Sequence, residues 1–276
     1  MTRRWVAQDR DGNPMERHSR GKGKQKLLGS HQKCWIWGRN AVLETLTAGR
    51  WKILDLYVSR LLDSELIDQV LKLAAPMGIV PVVDEPGVLE RLGHTTEHQG
   101  YLARMTDFPY ADEMQVLASL PETPFCVILD GIQDPYNFGA IIRSAEIFGA
   151  DAVFIGESGQ VGVTSMVVRS SAGAVNRIPI VRVPDVMTVV DSCRKKDIQV
   201  IAASEKATHT LMDHNLTSGI AIVIGNEGVG PRPELLQRCD AVVKIPQVGT
   251  IGSLNAAVAA GIFFYEVRRQ RGVGGI

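Results

Sequence analysis

From Phe125 onward, six short apolar runs alternate with segments of helical periodicity, and that alternation constrains the fold more than any other feature of the chain. The runs are Phe125-Cys126-Val127-Ile128-Leu129, Ala152-Val153-Phe154-Ile155, Ile178-Pro179-Ile180-Val181, Val200-Ile201-Ala202, Ile220-Ala221-Ile222-Val223-Ile224 and Ala241-Val242-Val243-Lys244-Ile245. Strands with one wet face alternate apolar and polar residues, whereas runs this uniformly apolar belong to a parallel sheet covered by helices on both faces. Ligands of such sheets bind beyond the carboxyl ends of the strands. Two glycine-rich stretches lie there: Ile224-Gly225-Asn226-Glu227-Gly228-Val229-Gly230-Pro231 and Ile245-Pro246-Gln247-Val248-Gly249-Thr250-Ile251-Gly252-Ser253-Leu254-Asn255. No GxGxxG follows Leu129, where a dinucleotide fold would carry it, which argues against hydride transfer.

The preceding part reads as a small α/β unit, residues 34–108: a helix from Arg39 to Ala48 ended by Gly49, a strand from Ile53 to Val58, a helix from Ser64 to Ala75 and a strand from Ile79 to Val83. Residues 109–123 read as a linker within the proline- and acid-rich stretch Thr106 to Pro124, and 124–272 as the second domain. The formal charge of zero hides an asymmetry, because residues 1–33 carry nine Lys/Arg against three Asp/Glu, leaving −6 on the remainder. That segment reads either as a disordered solvated tail or as a basic arm drawn to nucleic-acid phosphates. Asp9, Asp11 and Glu16 count against a mitochondrial presequence.

Cys34, Cys126, Cys193 and Cys239 are widely spaced and read as reduced thiols. His94 and His98 have i,i+4 spacing but sit in a glycine-bounded loop with no third ligand nearby, so no metal is expected. No apolar run reaches the roughly 18 residues that span a bilayer, and no apolar signal segment follows the first charges. A cytoplasmic protein with no membrane partner is the expectation.

Read residue by residue, the chemistry stays open. Asn137, in Asp134-Pro135-Tyr136-Asn137, is placed to cap a helix running from Phe138 to about Gly149. Arg143 shares a face with Gly139 and Glu146, which suits a surface ion pair with Glu146. Ser253 is a candidate N-cap for a last helix over 253–269, whose apolar residues occupy more faces than a sheet can cover and call for a second subunit.

Together, Asp130-Gly131-Ile132-Gln133-Asp134-Pro135-Tyr136-Asn137-Phe138-Gly139-Ala140-Ile141-Ile142-Arg143 and the two glycine stretches resemble, in order and spacing, the three motifs of the SpoU (TrmH-like) RNA ribose 2′-O-methyltransferases. Gly38-Arg39-Asn40-Ala41-Val42 resembles the opening of that family's small RNA-binding domain, so the likeness covers roughly residues 36 to 271. It implies a C-terminal parallel-sheet domain with a trefoil knot, a homodimer formed across it, and S-adenosylmethionine as cofactor without metal. It implies a catalytic set of Asn137, Arg143, Glu227, Ser253 and Asn255. By the same resemblance Ile245 and Leu254 flank the adenine, Gly225, Gly228 and Gly230 offer close backbone approach, and the turn at Ala203 and Ser204 closes another side.

In the family the matching Arg activates the ribose hydroxyl or binds the adjacent phosphate. The second role is favoured, because a guanidinium suits bidentate recognition of phosphate oxygens. Glu227 would orient Asn137 or Arg143, or accept the proton. Gln247, where the family usually has Met, and Ala256-Ala257, where Val-Ser is frequent, depart from the pattern. The linked small domain looks more like the branch that methylates a guanosine of large-subunit rRNA. The alternatives are a tRNA-directed enzyme and a non-catalytic RNA-binding or assembly protein.

Overall fold

The computed structural model describes residues 35–250 and 252–272, so the basic segment 1–33 and Cys34 lie outside the described residues. The first described part is a four-stranded sheet of β1 (Trp35–Trp37), β2 (Ile53–Ser59), β3 (Val82–Asp84) and β4 (Tyr101–Met105), ordered β1-β4-β2-β3. Helices α1 (Arg39–Ala48), α2 (Ser64–Ala74) and α3 (Pro86–Gly93) connect the strands. Gly49 ends α1 as expected, in the left-handed conformation at φ 62, with its N–H on the Thr45 carbonyl. The sequence reading missed β1, β4 and α3, and it placed the 79–83 strand too early. A 3₁₀ turn prolongs α2 to Met77 and Gly78 turns the chain at φ 68, so β3 begins only at Val82.

The second part is a seven-stranded, wholly parallel sheet: β5 (Phe125–Asp130), β6 (Ala152–Gly156), β7 (Ile180–Val183), β8 (Gln199–Ala203), β9 (His209–Thr210), β10 (Ile220–Gly225) and β11 (Ala241–Lys244). Its order is β7-β6-β5-β10-β8-β11-β9, which adds the two-residue β9 to the six expected strands. Along β5, Phe125, Val127 and Leu129 face one apolar cluster while Cys126 and Ile128 face the other. Both faces are therefore dry, and this is the physical reason the runs lack polar alternation.

The connections are α4 (Glu113–Ser119), α5 (Pro135–Ile147), α6 (Ser165–Ser170), α7 (Val186–Arg194), α8 (Pro233–Leu236) and α9 (Ala256–Gln270). Part of the stretch read as a linker is thus helical and docked: Val116 and Leu117 of α4 join the cluster under α7. The Asp112 carboxylate caps α4 by accepting from the Gln115 amide at 2.9 Å. The cluster on the other face runs without a break from Phe263 and Ile141 into Val42 of α1, Leu56 of β2 and Val70 of α2. Asn176 Nδ2 donates to Thr45 Oγ1 at 3.0 Å across the same junction.

Strand order decides where a site can form. The chain lays β5, β6 and β7 outward in one direction, crosses to β8, fills the gap with β10 and then places β11 outside β8. The carboxyl ends of β10, β8 and β11 become neighbours. Loops that leave the sheet at Gly225, Ala203 and Lys244 are brought together although they lie far apart in sequence.

Candidate active site

Gly225 closes β10, and a Cβ there would lie 1.9 Å from the Pro231 nitrogen, so the loop can fold back on itself only over glycine. Gly230 turns it at φ 74 and donates its N–H to the Asn226 carbonyl at 2.8 Å. The Asn226 side chain organises the turn: Oδ1 accepts from the amides of Gly228 at 2.9 Å and Val229 at 3.3 Å, and Nδ2 donates to the Gly131 carbonyl at 2.8 Å. Sequence reasoning passed over Asn226, although an Asn two residues before a Gly is the signal of such a turn. Below it, Arg232 donates Nε to the buried Asp130 at 2.8 Å and Nη2 to Asp185 at 2.7 Å, tying β5 to the start of α7. The hydrogen bond from Arg232 holds the Asp185 carboxyl below the usual range.

Helix α5 starts one turn earlier than expected. Pro135, with φ preset by its ring, takes the first helical position, and the Asp134 carboxylate accepts from the Tyr136 amide at 3.1 Å as the cap. Asn137 therefore is not the cap, and its carboxamide is free for other work. Its Nδ2 donates to Glu227 Oε1 at 3.1 Å, and its Oδ1 accepts from Asn255 Nδ2 at 2.9 Å. Asn255, and not Ser253, caps α9, accepting at Oδ1 from the amides of Ala257 at 2.9 Å and Val258 at 3.2 Å. Three of the residues expected to be catalytic thus form one relay, Asn255 to Asn137 to Glu227, joining the loops after β5, β10 and β11.

Glu227 takes two further donors, the amides of Asp134 at 3.2 Å and Gln133 at 3.3 Å. Partial burial pushes its carboxyl up, but the hydrogen bonds from its own amide, from Asn137 and from those two amides outweigh burial and hold it below the usual carboxylate range. It stays anionic and suits orientation better than proton abstraction.

Arg143 is exposed on α5 and, among the described residues, has no hydrogen-bond or ion-pair partner. The anticipated pair with Glu146 does not form. Gly139, one turn before Arg143, is buried against α6, where a Cβ would meet Ser170 Oγ at 1.9 Å.

Beside the relay lies a cavity of about 610 Å³, and all seven residues expected to hold the cofactor line it: Ala203, Ser204, Gly225, Gly228, Gly230, Ile245 and Leu254. Glu227 and Ser253 reach its wall, as do Lys206 and Lys244, which sequence reasoning had not singled out. Asn137, Arg143 and Asn255 stand outside it. The last helix is only half covered within one chain: Ala256, Ala260, Phe263, Phe264 and Val267 are buried, but Val258, Ile262 and Tyr265 are exposed. His98 is buried, and its Nδ1 accepts from the Gly100 amide at 2.9 Å, a structural use of that ring.

Comparison with known proteins places this geometry. Residues 124–265 match the model of the SpoU rRNA methylase family, and residues 35–111 match that of the RNA 2′-O ribose methyltransferase substrate-binding domain. The 23S rRNA (guanosine-2′-O-)-methyltransferase RlmB of Coxiella burnetii is 36% identical over 239 residues, 86% of this chain and 95% of its own length. YacO of Bacillus subtilis, named only by its family as a TrmH tRNA/rRNA methyltransferase, is 34% identical over 88% of this chain and 98% of its own. Among solved structures, the SpoU methyltransferase AviRb of Streptomyces viridochromogenes in complex with AdoMet superposes with a TM-score of 0.75 at 26% identity, covering 92% of this chain and 96% of that one. Motif order, sheet topology and these matches over both halves agree that the chain belongs to the SpoU rRNA methylase family.

Proposed function

We propose that this chain is an S-adenosylmethionine-dependent RNA ribose 2′-O-methyltransferase whose target is a guanosine of large-subunit rRNA. The observation that carries the reading is the juxtaposition of the 610 Å³ cavity with a locked Asn255–Asn137–Glu227 relay and an unpartnered Arg143 on the same helix. The cavity fits the cofactor: Ile245 and Leu254 give apolar walls, and the glycine loop brings main-chain groups to its edge where side chains would intrude. When bound, S-adenosylmethionine supplies the methyl group.

The work of the protein is positioning. Arg143, as a planar cation, holds a phosphate of the RNA so that a ribose hydroxyl meets the cavity mouth; Asn137, fixed at both ends of its carboxamide, presents a rigid edge there. Glu227 keeps Asn137 in place, and its lowered pKa makes it a weak acceptor for the hydroxyl proton. RlmB of Coxiella burnetii, similar over nearly its whole length, supports the rRNA guanosine as target. Mapping 2′-O-methyl groups in rRNA and tRNA from cells with and without the gene tests this. One guanosine of large-subunit rRNA should lose its mark; a change confined to tRNA would overturn the assignment.

The working unit is a homodimer across α9. Val258, Ile262 and Tyr265 form an exposed apolar stripe on it, and Ile147 of α5 is exposed as well. Sedimentation should show a dimer at micromolar concentration and a monomer for Ile262→Glu. Among the described residues no helix is long and apolar enough to cross a membrane.

A further inference from the structure

A second cleft of about 510 Å³ opens where the small sheet meets α5 and α6, and its walls include Trp37, His94, Thr95, Glu97, Tyr136 and Arg169. Tyr136 comes from the first turn of α5, next to Asn137, with 59% of its surface exposed. Arg143 follows it by seven positions, so the two share a helix face about 10 Å apart, two turns. Opposite stands Trp37 of β1, buried and with no hydrogen-bond partner for its indole N–H among the described residues. The Arg169 guanidinium lies over the Trp37 ring at 5.3 Å and pairs with Glu97 at 2.8 Å. An exposed ring on one side, a ring-backed cation on the other and a carboxylate paired with that cation are the elements that take a flat, polar-edged ligand.

We infer that this cleft receives an unstacked RNA nucleobase at or beside the methylated nucleotide, stacked on Tyr136 with its polar edge toward Glu97 and Arg169. The inference rests on the proposed RNA methyl transfer. Bases read in single-stranded RNA are splayed out and stacked on aromatic rings and guanidinium planes. The position suits this, since a strand whose phosphate lies on Arg143 passes Tyr136 along the same face of α5. The small domain then does more than add affinity. It supplies one wall of a slot that fixes which nucleotide reaches Asn137.

The test uses the full-length protein and unmethylated large-subunit rRNA from cells lacking the gene. Wild-type transfer to that RNA tests the proposed function by itself; if it fails, that reading and this inference fall together. With wild-type transfer in hand, Tyr136→Ala should raise KM for RNA about tenfold or more, in the range expected for a lost base stack, with S-adenosylmethionine affinity unchanged. Tyr136→Phe should restore KM, because the ring suffices. Thr95→Trp, which fills the cleft from the small domain and leaves the sequence of α5 unchanged, should raise KM as Tyr136→Ala does. The inference is overturned if KM stays at the wild-type value in Tyr136→Ala or in Thr95→Trp, or if Tyr136→Phe behaves like Tyr136→Ala.

Discussion

The two concave regions on either side of the α5 start are built from different materials. The cavity at the ends of β10, β8 and β11 has side chains such as Ile245 and Leu254 for walls but an edge of main chain: Gly225 has no room for a Cβ, and the Asn226 side chain serves to hold the loop's own amides. The cleft at the small domain is made of side chains, with Tyr136 and Trp37 as rings and Arg169 and Glu97 as charges. A cradle of main chain suits one small ligand that never varies, since it has few rotamers to lose on binding. A side-chain slot suits a polymer, where the contacts must select. The Asn255–Asn137–Glu227 relay links them, since Asn137 follows the cleft residue Tyr136 and Glu227 reaches the cavity wall.

The largest effect is expected at Arg143. Arg143→Ala should lower single-turnover methyl transfer at least about a hundredfold, as does removal of one preorganised charge-stabilising donor elsewhere. Calorimetry should show S-adenosylmethionine binding nearly unchanged, because Arg143 is not part of the cavity wall. Arg143→Lys should fail as well, since an ammonium lacks the planar fork. Loss of cofactor affinity in Arg143→Ala would erase the proposed division of labour.

The reverse pattern is expected at Gly225. A methyl group 1.9 Å from the Pro231 nitrogen forces the loop off β10, at a cost of about 1–3 kcal/mol in stability. Gly225→Ala should therefore lose cofactor binding, read by calorimetry, while the exposed Arg143 and the small sheet remain available to RNA. Unaltered cofactor affinity in that variant would mean the main-chain cradle is not the binding element.

How much of this was legible in the sequence differs between the regions for a physical reason. The strands of the large sheet were readable because burial on both faces leaves continuous apolar runs, and the glycine loops because a strand followed by Gly-Asn-Glu-Gly marks a turn at the strand's end. That the loops meet was not derivable from spacing, because β8 is inserted between β10 and β11 only by topology. The caps of α5 and α9 were misplaced for a common cause: each start offers two polar candidates, Asp134 and Asn137 or Ser253 and Asn255, and shifts of two or three residues are decided by Pro135 and by the relay. Helix α4 was hidden among acids and prolines, although Asp112 followed three residues later by Gln115 is a capping signal. The cleft left no trace, since its walls come from separate elements of both sheets' surroundings.

A smaller effect can separate folding from function at Asn255. Its Oδ1 caps α9 and its Nδ2 holds Asn137, so the two ends of one carboxamide have different duties. Asn255→Ala loses both, including about 1 kcal/mol of capping. Asn255→Asp keeps an acceptor for the cap and loses the donor. Thermal unfolding of Asn255→Asp should match wild type while transfer drops about tenfold, the scale of one net hydrogen bond. Equal activity of wild type and Asn255→Asp would show that Asn137 needs no support from α9.

The smallest expected effect concerns the charge on Glu227, and its sign distinguishes an orienting carboxylate from a base. Because the folded pKa lies below the ordinary value, the folded chain favours the ionised form. That stabilisation is complete above the unfolded carboxylate pKa of about 4.3 and is lost as pH falls through the lower folded value. Glu227→Gln has no such ionisation. The difference in thermal midpoint between wild type and Glu227→Gln should therefore be constant from neutral pH down to the ordinary carboxylate range and close only in more acidic solution. A gap that changes between pH 6 and 7 would mean a raised pKa, the property of a carboxylate poised to take the ribose proton, and would move Glu227 from holding Asn137 to acting on the hydroxyl itself.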